Sequence, residues 1–181
     1  FQERTSLLFE GNNKRIMDRL AGRSAAKIAL AQLIDRPAKS IHIDNYPSGQ
    51  PFCRQNTDLH ISISHCDGLG IAAAFHSPIG IDREKWDKRS PSFLSRYFHI
   101  SESALIKNCL IEVNRLWVVK EAVLKLLGVG LRFHPKDIEV VHLNNKRAKI
   151  RFHGPLKESI PLFETKDILI YVRSCHTYCT A

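Results

Sequence analysis

The stretch Asn114-Arg-Leu-Trp-Val-Val-Lys-Glu-Ala-Val-Leu-Lys-Leu-Leu-Gly128 decides how the rest of the chain reads. Asn114 is a residue type that caps helix N-termini, and Gly128 stands where a left-handed stop is expected, so a helix is predicted between them. Leu116, Val119, Val123, Leu126 and Leu127 recur at helical spacing and form a predicted buried stripe. Trp117, Glu121 and Lys125 follow at intervals of four along a neighbouring edge, with Lys120 beside the same carboxylate. These residues alone admit two readings. Glu121 and Lys125 can be an i,i+4 ion pair on a solvated face, stabilising by about 0.3 kcal/mol. They can equally be an acid and amines held for chemistry, with Trp117 packed into the core beside them.

N-terminal to this helix, the chain reads as a meander. Leu59–His65 alternates strictly, Ile71–Phe75 is a more apolar strand, and Ile79–Asp82 is expected as a third, with turns at Asp67-Gly68 and Ser77-Pro78. Asp82 and Glu84 are two apart, so in extended chain they project to the same side. Asp82, Glu84 and Glu121 make a hard oxygen donor set of the kind Mg²⁺ takes together with substrate phosphates. The local alternative is that Asp82 caps a turn and Glu84 pairs with Arg83 or Lys85. His65 shares strand parity with Leu59, Ile61 and Ile63, which would suit a hydrogen-bonded core histidine. The other eight histidines show no ligand spacing and read as surface or structural, and no His or Cys pattern competes for a softer metal.

Further out, residues 12–34 read as a helix with Ile16, Leu20, Ile28, Ala31 and Leu33 or Ile34 on its apolar side. Gly22 inside it implies either close packing or a break. Ile41–Ile43 is a short strand candidate, and Asn45–Pro51 a loop. Beyond residue 85, Ser90-Pro91 opens a helix through Phe98, and Ser101 is expected to cap another over Glu102–Ile111. Asp137–Leu143 and Ala148–Phe152 form a predicted hairpin, and Ile168–Ser174 a last strand. The expectation is α+β: two lobes, residues 1–85 and 86–181, with the ligand cleft between them.

The 181 residues suffice for one substantial domain or two small lobes, and 44% apolar content is that of a globular protein. No apolar run reaches membrane-spanning length, and Phe1-Gln-Glu-Arg4 does not read as a signal peptide, so none is expected in this stretch. Five scattered cysteines without a Cys-x-x-Cys pair suggest neither zinc nor a disulfide framework, so a cytoplasmic location with reduced thiols is expected. The net charge of +9 favours anionic partners. The basic residues are neither blocked nor interleaved with aromatics, which weighs against nucleic acid.

Ile79-Gly-Ile-Asp-Arg-Glu84 followed by Trp117-Val-Val-Lys-Glu-Ala-Val-Leu-Lys125 resembles the paired signature of the 4'-phosphopantetheinyl transferases. Arg96-Tyr-Phe-His-Ile-Ser-Glu102 resembles that family's intervening Arg-Phe-Phe-x-x-x-Glu element, Ser64-His65 its Ser-His motif, and Leu20–Lys27 its Gly-Arg helix. Gly49-Gln-Pro51 stands where the family usually has Gly-Lys-Pro, so Gln50 replaces a lysine. The matches are in order, cover roughly residues 20–135, and point to the two-lobed, surfactin-type class.

The resemblance implies two pseudo-symmetric lobes and a monomer that moves 4'-phosphopantetheine from coenzyme A to a serine of an apo acyl, peptidyl or polyketide carrier protein. Adenosine 3',5'-bisphosphate is the by-product. It implies Mg²⁺, with Mn²⁺ as an alternative, on Asp82, Glu84 and Glu121. Glu121 is the implied general base, with Lys125 and Lys120 steadying the phosphates. Arg23, Lys27, Gln50, Ser64 and His65 are implied for coenzyme A. Arg96 and Lys107 lie in the family's docking region for an acidic carrier. Two other expectations stand beside the transferase: an inactive relative that only holds coenzyme A or a carrier, and a basic nucleic-acid-binding domain.

Overall fold

The computed structural model describes residues 13–106, 109–160, 168–174 and 178–181, with the backbone alone at 13 and 131. Lys107 and His176 lie outside the described residues. The chain divides into two compact units, Phe1–Ile79 and Gly80–Ala181. Among the described residues helices mix with sheets whose pairings are all antiparallel. No described helix is long and apolar enough to cross a membrane.

In the first unit, helix α1 (Asn13–Ile34) precedes strands β1 (Ile43–Asn45), β2 (Pro51–Cys53), β3 (His60–Cys66) and β4 (Leu69–Phe75). β1 pairs with β2, and β3 with β4 in register from His60 opposite Phe75 to Cys66 opposite Leu69. Helix α1 runs unbroken through Gly22 and packs closely instead. A Cβ on Gly70 would fall 2.2 Å from the Ala21 carbonyl, and one on Gly22 would fall 2.8 Å from Ile63. Only glycines allow this approach of helix to strand. The packed line of α1 is therefore Gly22, Ala26 and Leu30, whereas Ile28, expected on the apolar side, is 58% exposed. Ala26 and Leu30 meet Ile41, Ile43, Cys53, Leu59 and Ile61 in this unit's core.

In the second unit, strand β5 (Arg83–Lys85) is followed by helices α2 (Pro91–Tyr97), α3 (Ser103–Ile106) and α4 (Leu110–Leu126). Hairpin β6 (Ile138–Leu143) and β7 (Arg147–Phe152), helix α5 (Gly154–Ser159) and short strands β8 (Ile170–Tyr171), β9 (Arg173–Ser174) and β10 (Tyr178–Thr180) complete it. Two three-stranded sheets result, β5-β10-β9 and β6-β7-β8. Ile79–Asp82 is not a strand of its own; the strand runs from Arg83, opposite Thr180, and only Asp82 extends its backbone pairing, to Ala181. The expected last strand splits at Val172 into β8 and β9. Ile111 belongs to the central helix, not to a helix beginning at Glu102.

That central helix, α4, starts four residues before the expected cap. Cys109 holds the N-cap position, and Asn114 is fully buried, its amide donating to the carbonyls of Leu110 and Asp87 at 2.8 Å each. The stop is as expected. Gly128 is left-handed (φ 64), its N–H reaches the Lys125 carbonyl at 3.1 Å, and the Val129 N–H reaches Leu124 at 3.4 Å. Those two crossed bonds satisfy the carbonyls a helix end otherwise orphans. The buried surface of α4 is wider than one stripe. Val113, Leu116, Val118, Val119, Val123 and Leu124 are all within the core, packed with Phe98, Ile138, Val140, Ile150 and Phe152.

Candidate active site

The site lies where the segment around Asp82 crosses α4. Gly80 permits the crossing: a Cβ there would sit 1.9 Å from the Ala122 carbonyl oxygen and 2.6 Å from the Leu126 nitrogen. Two residues on, Asp82 is locked to the backbone of Ala181, its N–H donating at 2.6 Å and its carbonyl accepting at 2.9 Å. Asp82 is consequently buried, 4% exposed, with its side chain against α4.

Lys125 donates to Asp82 Oδ1 at 2.7 Å, so the amine of α4 meets an acid from another element. Two turns earlier, Trp117 Nε1 donates to Glu84 Oε1 at 3.3 Å. Arg89 donates to Glu84 Oε2 at 3.2 Å, and its guanidinium lies 4.9 Å from the Phe93 ring centroid. Trp117 packs edge-on against Phe93 and Tyr97 at 4.9 and 5.4 Å. It therefore has both the packing role and a polar contact to the acid.

Glu121 stands between Trp117 and Lys125 on the same edge and is half-buried. Burial, then the charge of Asp82, with Glu84 adding, push its carboxyl up to about 7, against the opposing charges of Lys125 and Arg89. Burial and the charge of Asp82 also raise Glu84, opposed by Arg89, the Trp117 hydrogen bond and Lys125. The three carboxyls thus feel one another and lie near two cations, Lys125 and Arg89. The donors are all hard oxygens, the ligand type Mg²⁺ takes, although as they stand the oxygens of Asp82, Glu84 and Glu121 are not all within 4.8 Å of one another, so holding one ion requires them to draw together.

Lys120 turns the other way. It is fully buried, with Nζ 2.8 Å from Glu102 Oε2, 3.2 Å from the Pro135 carbonyl and bonded to the Ile138 carbonyl. Burial lowers its pKa while Glu102 pulls it back up. Its three donors are spent inside the core, so the expected phosphate role does not suit it. Adjacent helix residues diverge by about 100°. That is why Lys120 and Glu121 serve different surroundings.

The residues implied for coenzyme A lie in the first unit. Arg23 donates to the Ile43 carbonyl at 2.5 Å and to Asn45 Oδ1 at 2.9 Å, bracing helix α1 to β1. Lys27 and Gln50 are half-exposed, Ser64 is buried and His65 is exposed rather than core. Arg96 is exposed, its guanidinium 5.4 Å from the Tyr97 ring centroid.

Sequence reasoning missed Arg89 and the pairing partner of Lys120. Arg89 sits in a basic run, Lys85-Trp-Asp-Lys-Arg89, with no spacing to mark it. Glu102 was visible only as the end of a motif, without its role.

A sequence model of the 4'-phosphopantetheinyl transferase superfamily matches residues 78–180, which include every residue of the acidic site. The chain is 26% identical over 161 residues to 4'-phosphopantetheinyl transferase gsp of Aneurinibacillus migulanus, covering 86% of this chain and 66% of that protein. It is 25% identical over 119 residues to 4'-phosphopantetheinyl transferase psf-1 of Bacillus pumilus, covering 63% of this chain and 51% of that protein. It is 30% identical over 105 residues to the holo-[acyl-carrier-protein] synthase of Moorella thermoacetica, covering 54% of this chain and 80% of that protein. The chain thus spans between half and two thirds of the length of the first two relatives. With more than half of its residues matched by the superfamily model, the chain belongs to the 4'-phosphopantetheinyl transferase superfamily.

Proposed function

We propose that the protein transfers 4'-phosphopantetheine from coenzyme A to a serine hydroxyl of an apo carrier protein. The observation that carries this reading is the meeting of Asp82 and Glu84 with Trp117, Glu121 and Lys125 of α4, inside the matched segment. The serine oxygen forms a bond to phosphorus of the coenzyme A diphosphate, the bridging P–O bond breaks, and adenosine 3',5'-bisphosphate leaves with the electron pair. Phosphoryl transfer of this kind asks mainly for positioning and charge neutralisation.

Asp82, Glu84 and Glu121 would hold Mg²⁺, which when bound supplies Lewis-acid neutralisation of the diphosphate. Glu121 accepts the serine proton, directly or through water. Lys125 places a cation where negative charge grows. Trp117 and Arg89 hold Glu84 in position. Lys27, Arg23, Gln50, Ser64 and His65 are proposed contacts for the nucleotide end of coenzyme A, with Arg23 acting through its hold on β1. The net charge of +9 suits an acidic carrier.

The test is incubation with coenzyme A, Mg²⁺ and apo carrier proteins of the acyl, peptidyl and polyketide types, read by intact mass. A phosphopantetheine increment on the carrier serine is the expected result. Coenzyme A binding without any increment would instead mark a non-catalytic relative.

A further inference from the structure

Outside the acidic site, three ligand-type side chains distant in sequence converge in the second unit. His99 is the N-cap of the 3-10 turn Ile100–Glu102, Glu139 is the second residue of β6, and His153 is the N-cap of α5. Glu139 Oε2 lies 2.7 Å from His153 Nε2, and Glu139 Oε1 lies 4.0 Å from His99 Nδ1. One ligand atom from each of the three falls within 4.8 Å of the others, the sole such set among the described residues. The carboxylate is buried at the base, and the two imidazoles are 29% and 33% exposed above it. The rings are thus partly open to solvent, while Ser101 engages His99 Nδ1 through its hydroxyl at 2.8 Å and its N–H at 3.4 Å, contacts that a metal would displace.

Two imidazoles and one carboxylate are a donor set for late first-row divalent ions, and tetrahedral Zn²⁺ with three protein ligands is its commonest form. Ligand atoms about 2.0–2.1 Å from such an ion stand roughly 3.3 Å apart. The observed separations of 2.7 and 4.0 Å bracket that value. Ser101 Oγ donates to Glu139 Oε1 and holds the carboxylate in place from the third side.

We propose that His99, Glu139 and His153 form a second metal site, selective for Zn²⁺ or a similar late first-row ion and separate from the carboxylates at 82, 84 and 121. Binding has a structural requirement. The two rings stack with centroids 4.6 Å apart and planes 11° from parallel. A metal lies in the plane of each imidazole it binds, and two stacked planes share no such point, so at least one ring must turn. Arg151 must also release Glu139 Oε2, from which its Nη1 is 3.2 Å. Its side chain is 63% exposed, so losing that pair costs little.

The site would fasten the frame that seats α4. The His99 N–H donates to Glu102 Oε2 at 2.7 Å and the Val140 N–H to Glu102 Oε1 at 2.8 Å, and the same carboxylate receives Lys120. Occupancy by metal is therefore expected to stabilise the second unit without taking part in transfer.

The experiment uses the full chain, stripped with chelator and then held in excess Mg²⁺ to occupy the acidic site. Zn²⁺ is titrated by calorimetry and thermal melting, and Co²⁺ by visible absorption. The expected result is one equivalent bound, a rise in Tm, and a tetrahedral Co²⁺ spectrum lacking thiolate charge-transfer bands. His99→Gln and His153→Gln should each weaken binding at least tenfold, and Arg151→Ala should strengthen it. In wild-type protein the imidazole nitrogen resonances of His99 and His153 should shift together on adding Zn²⁺, a readout that needs no variant to fold. Absence of stoichiometric uptake, thiolate bands in the Co²⁺ spectrum, or unmoved resonances at both histidines would overturn the proposal.

Discussion

Lys125 Nζ lies 2.7 Å from Asp82 Oδ1, joining residues 43 apart in sequence. The contact sets the edge of the acidic site, because it fixes where the cation of α4 stands relative to the carboxylates. Replacing Lys125 by Met should lower kcat/KM for carrier modification about 100-fold, the scale of losing one preorganised charge donor. Single-turnover kinetics with an apo carrier, alongside a melting curve, would check this. An active Lys125→Met enzyme would remove that residue from the mechanism.

Glu121→Gln and Asp82→Asn should each reduce transfer about 100-fold or more while leaving the protein folded. Glu121→Gln is the more discriminating of the two. Its carboxyl is desolvated and faces two other acids, so the neutral amide should leave Tm unchanged or raised. Loss of activity together with undiminished stability is what a chemical role predicts. Loss of both would point to a structural one.

The Lys120–Glu102 pair makes the opposite prediction. Both side chains are fully buried and 2.8 Å apart. Lys120→Met strands a buried carboxylate and should destabilise by about 3–5 kcal/mol. Lys120→Met combined with Glu102→Leu removes the stranded charge and should recover part of that loss. Urea unfolding of the two variants measures it. Equal destabilisation in both would mean that the lost Lys120 bonds to the Pro135 and Ile138 carbonyls, rather than the stranded charge, carry the cost.

Gly80 tests the crossing that builds the site. A methyl group 1.9 Å from the Ala122 carbonyl oxygen cannot be absorbed by a side-chain rotation, since the obstacle is backbone. Gly80→Ala should destabilise by about 3 kcal/mol, the upper end of ordinary overpacking. It should also displace Asp82 from Lys125 and lower activity. Gly49→Ala in the first unit, also strained by a left-handed backbone (φ 89) but with open space around it, should not affect the acidic site.

These contrasts show which features could be read before the fold was known. Asp82, Glu84, Glu121 and Lys125 stand out in the sequence through the paired motif they share with the transferase family rather than through spacing alone, and the structure brings Lys125 to Asp82 and Trp117 to Glu84. The direction of Lys120 was not legible, since a charged residue in a helix carries no mark of whether it faces a core or a ligand. Its partner Glu102 lies on another element. The packed line of α1 was missed because Gly22 and Ala26 are weak hydrophobic signals, while the more apolar Ile28 faces solvent. Strand β10 is three residues long and owes its existence to β5 and β9, not to local preference. His99, Glu139 and His153 show no ligand spacing in the chain, because only the second unit's tertiary fold brings them together.

The raised carboxyl of Glu121 has a consequence for stability that is independent of catalysis. Its folded value of about 7 stands above the ordinary 4.5, so between those pH values the folded protein binds a proton that the unfolded chain releases. Stability linked to this group is therefore present below about pH 4.5 and is lost as pH rises through 7. In metal-free protein the ¹³C resonance of the Glu121 side-chain carboxyl should titrate near 7. Asp82→Asn removes the largest opposing charge and should move that midpoint downward. Lys125→Met removes a favourable one and should move it upward. A midpoint near the ordinary glutamate value, indifferent to both substitutions, would mean that Glu121 is solvated and that the three acids do not share a site.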